Sequence, residues 1–209
     1  MEQAMSAPTI VEEPRGTVDF IYRRRAVRAY KPDAIDERPL RALLDAAVHA
    51  PTAMHEEPWR FVVVQHRALL RRLSDRAKEM ATADAAHRGK LLKRPGAAGE
   101  DIASPLADPE FNIFYDAGTL VVICARPTND FVAADCWLAA ENLMLAACAD
   151  GLGTCCIGFA VPALNTPEGK AECGIPADVH AFAPIIVGVP RGETLPVPRK
   201  SPVILSWIR

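Results

Sequence analysis

Apolar positions along the chain recur with two different periods. Val18, Ile21 and Tyr22 fall at helical spacing and open a short amphipathic helix that runs into a basic cluster. Leu40, Leu43, Leu44 and Ala47 share one face of a second helix, with Pro39 in its first turn and Pro51 as its stop. Arg60–Gln65 is short, β-branched and nearly continuous, which predicts a buried strand. Leu69, Leu73, Ala77 and Met80 form the inner stripe of a charged helix over 68–87. Residues 88–112 are dominated by Gly, Pro, Ala and Asp and predict a loop or lid. Thr119–Ala125 is a second buried strand, and 135–150 a long, mostly apolar helix expected to be buried on several sides. Gly151-Leu152-Gly153 ends that helix, and Pro184–Val189 is a third buried strand. The tail from Gly192 is extended and proline-rich, with Pro202–Trp207 as a further candidate strand.

Strands alternating with helices predict an α+β or α/β layered domain around a mixed sheet. A dinucleotide-binding fold would carry a glycine fingerprint after its first strand, but here the chain continues His66-Arg67-Ala68-Leu69. With 209 residues, 50% apolar and 24% charged, the chain can bury a substantial core. Residues 1–17 read as a flexible lead-in and 18–209 as one domain. The N-terminus lacks the basic start and long apolar core of a secretory signal, and no run reaches 18 apolar residues. A cytoplasmic protein that neither crosses nor binds membrane is therefore expected. Four of the six cysteines lie in apolar surroundings and read as small buried hydrophobes. Neither Cys155-Cys156 nor the histidines have a redox or metal-binding spacing, so no metal is expected.

A net charge of −2 argues against a dedicated nucleic-acid binder, yet five of the nine residues from Arg23 to Lys31 are basic. On a helix, Arg24 and Arg28 would share a face and could hold a phosphate with two guanidinium forks. A solvated basic face or a nucleic-acid contact would show the same composition. The segment Ala50–Phe61 carries two prolines around a short polar turn. It reads either as a rigid loop facing a planar heterocycle or as an ordinary connector with Trp59 in the core.

These segments also carry a resemblance. Arg23–Ile35 is similar to the opening motif of the FMN-dependent nitroreductase family, and Ala50–Val64 resembles its proline-bracketed segment ahead of a strand. Asp135–Ala147 with Gly151–Gly158 resembles the central helix and glycine-rich turn. Pro184–Pro190 and Pro198-Arg199-Lys200 resemble the last core strand and a C-terminal basic site. The resemblance covers about 18–207, in order. It implies an α+β, three-layer fold, a mixed central sheet flanked by helices, and an intertwined homodimer with the cofactor at the subunit interface.

Carried over residue by residue, Arg24, Arg25 and Arg28 would reach the FMN phosphate and ribityl chain, joined by the backbone of Ala26. Pro51, Thr52, Ala53, Met54 and His55 would lie along the flavin ring. Ile157 and Gly158 would sit on its other side, with a backbone N–H toward N5. Arg199, with Lys200, would return to the phosphate. Three positions depart from the family pattern: Ala26 for serine, His55 for asparagine and Glu57 for glutamine. They bear on flavin affinity and potential, since hydrogen bonds to the ring tune it. No catalytic side chain is assigned. The implied activity is an oxidoreductase using NAD(P)H to reduce a small planar acceptor such as a nitroaromatic or quinone, by ping-pong hydride transfer. Dehalogenation or heterocycle oxidation is the alternative within the family, and non-catalytic flavin binding the alternative outside catalysis.

Overall fold

The computed structural model describes residues 17–88, 106 and 108–209. The lead-in, apart from Thr17, and most of the expected lid lie outside the described residues. The elements run α1 (Thr17–Arg23), α2 (Glu37–Val48), β1 (Arg60–Val64), α3 (Arg67–Arg88), β2 (Thr119–Ala125), α4 (Val132–Ala149), β3 (Gly153–Cys156), α5 (Ala160–Leu164), α6 (Pro167–Cys173) and β4 (His180–Gly188).

The four strands lie in the order β1-β2-β4-β3 and pair antiparallel throughout. The parallel component expected of a mixed sheet is one bridge, Ala26 to Thr154, at the β3 edge. All seven residues of β2 are buried, because both sheet faces are covered. Alternation sorts its side chains. Leu120, Val122 and Cys124 enter a core with Leu70, Leu73 and Ala77 of α3 and Leu164 of α5. Val121, Ile123 and Ala125 enter a second core with Leu43 and Ala47 of α2 and Leu143 of α4. Helices on both faces make the three layers.

β4 begins at His180, four residues earlier than expected, and runs through Pro184. The register skips Phe182, since Ile123 faces Ala183 while Cys124 faces Ala181. The extra residue is a β-bulge, which is where a central strand accommodates a proline. It also moves Ala181 into the first core while Ala183 stays in the second.

α4 is long and apolar enough, by length and composition, to cross a bilayer. Its inner face instead packs on α2 and the sheet, burying Asp135, Cys136, Ala139, Ala140 and Leu143. The helix is buried on this face only, not on several sides as expected: Trp137 and Leu138 on the opposite face are exposed.

Two further expectations are corrected. The basic cluster is not helical beyond Arg23, where α1 ends. Val27 and Tyr30 are buried, and the segment is held extended along the sheet edge: Val27 N–H donates to Thr154 O at 3.0 Å and Lys31 N–H to Val189 O at 2.9 Å. Tertiary pairing therefore overrides helical propensity there. Pro202–Trp207 forms no strand within this chain. The tail is exposed, its apolar side chains Val203, Ile204, Leu205 and Trp207 included, with the Arg209 guanidinium 5.6 Å from the Trp207 ring centroid.

Candidate active site

The basic segment meets β3 through a glycine. A Cβ on Gly153 would lie 2.8–3.0 Å from three side-chain atoms of Val27, so only glycine lets the segment approach this closely. Arg24 and Arg25 line a cavity of about 220 Å³ with Thr154 and Leu152. Arg24 Nε lies 3.3 Å from Glu141 Oε1 of α4 but makes no well-directed hydrogen bond and is shielded from solvent. Glu141 thus already balances the Arg24 charge, and Nε keeps a hydrogen-bonding capacity that no well-directed acceptor fills. Arg25 is turned inward, donating to the carbonyls of Tyr22 at 2.5 Å and Arg24 at 3.0 Å. Arg28 stands over the ring of Tyr115, 5.9 Å from its centroid.

At the other end of β3 the chain turns sharply. Ile157 N–H is taken by Pro184 O at 2.9 Å. Of the two residues expected to offer a backbone N–H to the ring, Ile157 is thereby spent and Gly158 is left, its N–H having no acceptor among the described residues. A Cβ on Gly158 would meet nothing within 4 Å. The glycine is exposed and fronts open space.

The connector from Pro51 to Pro58 is strained. Met54, His55 and Glu57 have φ of 54°, 56° and 45°, a region that side chains other than glycine rarely adopt. Asp135 holds the turn: its Oδ1 accepts from Ala53 N–H at 3.2 Å, while Oδ2 is buried without a partner. Asn129 Nδ2 also donates to Glu56 Oε2 at 2.9 Å. Met54 is 89% exposed and projects outward, whereas Trp59 is buried, as a core connector residue would be. Arg199 and Lys200 lie in the exposed tail. No hydrogen bond or ion pair among the described residues joins Pro51–His55 or Arg199–Lys200 to Arg24–Arg28.

The described residues therefore present two separately anchored groups of candidate site residues. The anchors, Asp135 and Glu141, both sit on α4, about 9 Å apart along its axis. Sequence reasoning passed over both. The available signal was an acidic residue placed inside an otherwise apolar helix. Guanidinium donors, an unscreened N–H and an open glycine backbone make a donor set that fits a phosphate-bearing planar cofactor such as FMN.

A profile of the Nitroreductase family matches residues 21–185. The chain belongs to the Nitroreductase family. The match includes the basic segment, the proline-bracketed connector, α4 and the Gly158 turn, and stops before the tail. Among nitroreductase-family relatives, the chain is 28% identical over 179 residues to a putative NADH dehydrogenase/NAD(P)H nitroreductase of Archaeoglobus fulgidus, covering 83% of this chain and 85% of that one. It is 31% identical over 180 residues to the nitroreductase NfnB of Mycolicibacterium smegmatis, covering 72% and 76%. Its fold matches a nitroreductase with bound FMN from Bacteroides fragilis with a TM-score of 0.70 and 26% identity, over 94% of this chain and 98% of that one.

The buried thiol of Cys155 and the half-buried thiol of Cys156 are chemically quiet. Desolvation raises Cys155, partly opposed by Arg28 and Arg24. Cys156 is pushed up to about 11, first by desolvation and then by Cys155 and Glu141. Both stay protonated near neutral pH and act as packing groups rather than nucleophiles.

Proposed function

We infer that the protein is an FMN-dependent oxidoreductase of the nitroreductase type, which takes electrons from NAD(P)H and passes them to a small planar acceptor such as a nitroaromatic or quinone. The observation that carries this reading is the junction at β3. A cationic extended segment is clamped to one end of the strand, and an unobstructed glycine backbone lies just past the other. The FMN-bound relative from Bacteroides fragilis supports the cofactor assignment. When bound, FMN would supply the two-electron redox chemistry. Arg24 and Arg28 would hold its phosphate and ribityl oxygens, and Ala26 would let the chain pass close without adding a hydroxyl contact. The Gly158 N–H would be the donor to the ring. Substrates would use the same open face in turn, which is the basis for ping-pong kinetics.

The reading also requires two copies. Pro51–His55 and Arg199–Lys200 have no contact with the basic segment in their own subunit, and a partner would bring them to it. Uncovered apolar side chains support this: Ile21 and Tyr22 on α1, Trp137 and Leu138 on α4, and the tail from Val203 to Ile208 are all exposed.

The test is spectroscopic. The purified protein is expected to be yellow, to release FMN on denaturation, to sediment as a dimer, and to bleach when NADH or NADPH is added without oxygen. A folded protein that takes up no flavin would overturn the cofactor assignment. A flavin that neither nucleotide reduces would overturn the donor.

A further inference from the structure

A second cavity, of about 580 Å³, opens on the other side of the basic segment. It lies between residues 28–32, the start of α3 and the loop 110–118. Its size is that of a site for a whole small molecule. Phe111, Leu70 and Tyr115 give it an apolar side, with Phe111 and Tyr115 in an edge contact at 5.6 Å. Four arginines and two carboxylates line the rest.

The charges leave a net excess of cations. Asp116 Oδ1 accepts from Asn112 Nδ2 at 3.1 Å, a neutral donor that leaves its charge in place, and Glu110 carries the second carboxylate. Arg71 is paired with Asp75 at 3.5 Å and donates to the carbonyl of Pro109 at 2.5 Å. Arg67 is pinned at 2.6 Å to Pro32 O, a neutral acceptor that fixes the fork without cancelling its charge. Arg28 rests on the Tyr115 ring. Arg191 is brought to the rim because its own N–H donates to Ala29 O at 2.9 Å. Among the described residues, Arg28, Arg67 and Arg191 have no carboxylate partner.

The loop forming the far wall is fixed as well. Lys78 Nζ donates to the carbonyls of Asp108, Pro109 and Phe111 at 3.2, 3.1 and 2.8 Å. Ser74 Oγ accepts from Ile113 N–H at 3.0 Å. Tyr115 and Asp116 are held at φ of 52° and 56°. Strain retained by so many bonds to α3 is a mark of a preformed wall rather than a loose surface loop.

We propose that this cavity seats the anionic end of a substrate, a carboxylate or phosphate carried on an aromatic or heterocyclic body, held by Arg67 and Arg191 with Arg28 at the boundary to the flavin site. Guanidinium forks are suited to oxyanions, and the aromatic side suits the attached ring. The assignment rests on the proposed oxidoreductase reading for the word substrate, but the charge and shape of the cavity stand apart from it. Two sources share this chemistry: an acceptor bearing a carboxylate, and the 2′-phosphate that distinguishes NADPH from NADH.

Calorimetric titration of the purified full-length protein decides between them, with flavin content recorded by absorbance. The probes are 4-nitrobenzoate against the neutral 4-nitrobenzamide, and NADP⁺ against NAD⁺. At least one anionic probe is expected to bind on the order of tenfold more tightly than its counterpart, with the advantage shrinking as salt rises. An advantage in the first pair assigns the cavity to the acceptor, and in the second to the nucleotide. Arg67→Gln and Arg191→Gln, both at exposed residues, are expected to erase most of the advantage while leaving the neutral probe and the flavin content unchanged. No discrimination in either pair overturns the proposal. So does discrimination that survives in both variants, or loss of flavin from them, which would make the cavity part of the cofactor's own site. Failure of NADH or NADPH to bleach the flavin would instead count against the oxidoreductase reading and leaves these titrations interpretable.

Discussion

Asp135 offers the most direct test of how the connector is held. Its Oδ1 is the anchor for Ala53 N–H at 3.2 Å, and three of the next four residues have positive φ. Asp135→Ala removes the acceptor from a half-buried N–H. A hydrogen bond to a charged acceptor contributes roughly 1.5–3 kcal/mol, and the long separation favours the low end. The small void left by the carboxyl adds to that, and because Asn129 still ties Glu56 of the same turn, the strain in Met54, His55 and Glu57 is largely retained and its release offsets at most about 1 kcal/mol in all. The expected net cost is about 1–2 kcal/mol, which for a chain of this size is a fall in Tm of roughly 2–8 °C. Asp135→Asn keeps a carbonyl oxygen facing Ala53 and exchanges the unpartnered Oδ2 for an uncharged NH₂. It is expected within about 1 kcal/mol of the wild-type protein. Thermal and urea unfolding of the two variants give the comparison, and FMN titration reports whether the relaxed turn still binds. Stability within about 0.5 kcal/mol of wild type for Asp135→Ala would refute the anchoring role. A larger loss for Asp135→Asn than for Asp135→Ala would show that the charge, not the acceptor, matters.

Gly158→Leu should leave the melting temperature almost unchanged, because its Cβ meets nothing within 4 Å, yet weaken FMN binding on the order of tenfold or more; unchanged affinity in a fluorescence titration would remove Gly158 from the site. Gly118→Ala should cost about 3 kcal/mol by urea unfolding, since the new Cβ would lie 2.5–2.6 Å from backbone atoms of Asp33 and Ala34. Acid should weaken the junction of α3 and α6. Hydrogen bonds from Arg72 and Arg76 hold Glu172 below its usual range, so its contribution is present above the unfolded carboxylate value and is lost as pH falls through the lowered one. Glu172→Gln should flatten that part of a Tm-against-pH curve, and an unchanged slope would count against it. Desolvation pushes Cys124 and Cys136 up to about 12, so iodoacetamide at pH 8 should label them only after unfolding; rapid labelling of the folded protein would contradict their burial.

Patterning along the chain determined most of the layered fold. The short β-branched runs at Arg60–Val64 and Thr119–Ala125 and the helical spacing in α2 and α3 were sufficient for the elements themselves; burial was not, since β2 is buried throughout while β1, expected to be buried, is an edge strand with only Val64 buried. The capping signals of α6 were present but not read: Thr166 Oγ1 accepts from Gly169 N–H at 2.9 Å, Pro167 follows, and Gly174 closes the helix at φ 67°. β3 was taken for a turn, since Gly153-Thr154-Cys155-Cys156 is too short to show a period. The motif residues of the flavin site were legible as a resemblance, but their arrangement was not. Whether Arg24–Arg28 is helix or strand depends on Thr154 and Val189, more than a hundred residues away, and no local preference records such a partner. The loss of Ile157 N–H to Pro184, the anchoring of the connector by Asp135, and the gathering of Arg28, Arg67 and Arg191 around one cavity have the same origin. Side-chain type is local, but which charges lie close together and which donors remain unpaired are decided by long-range packing.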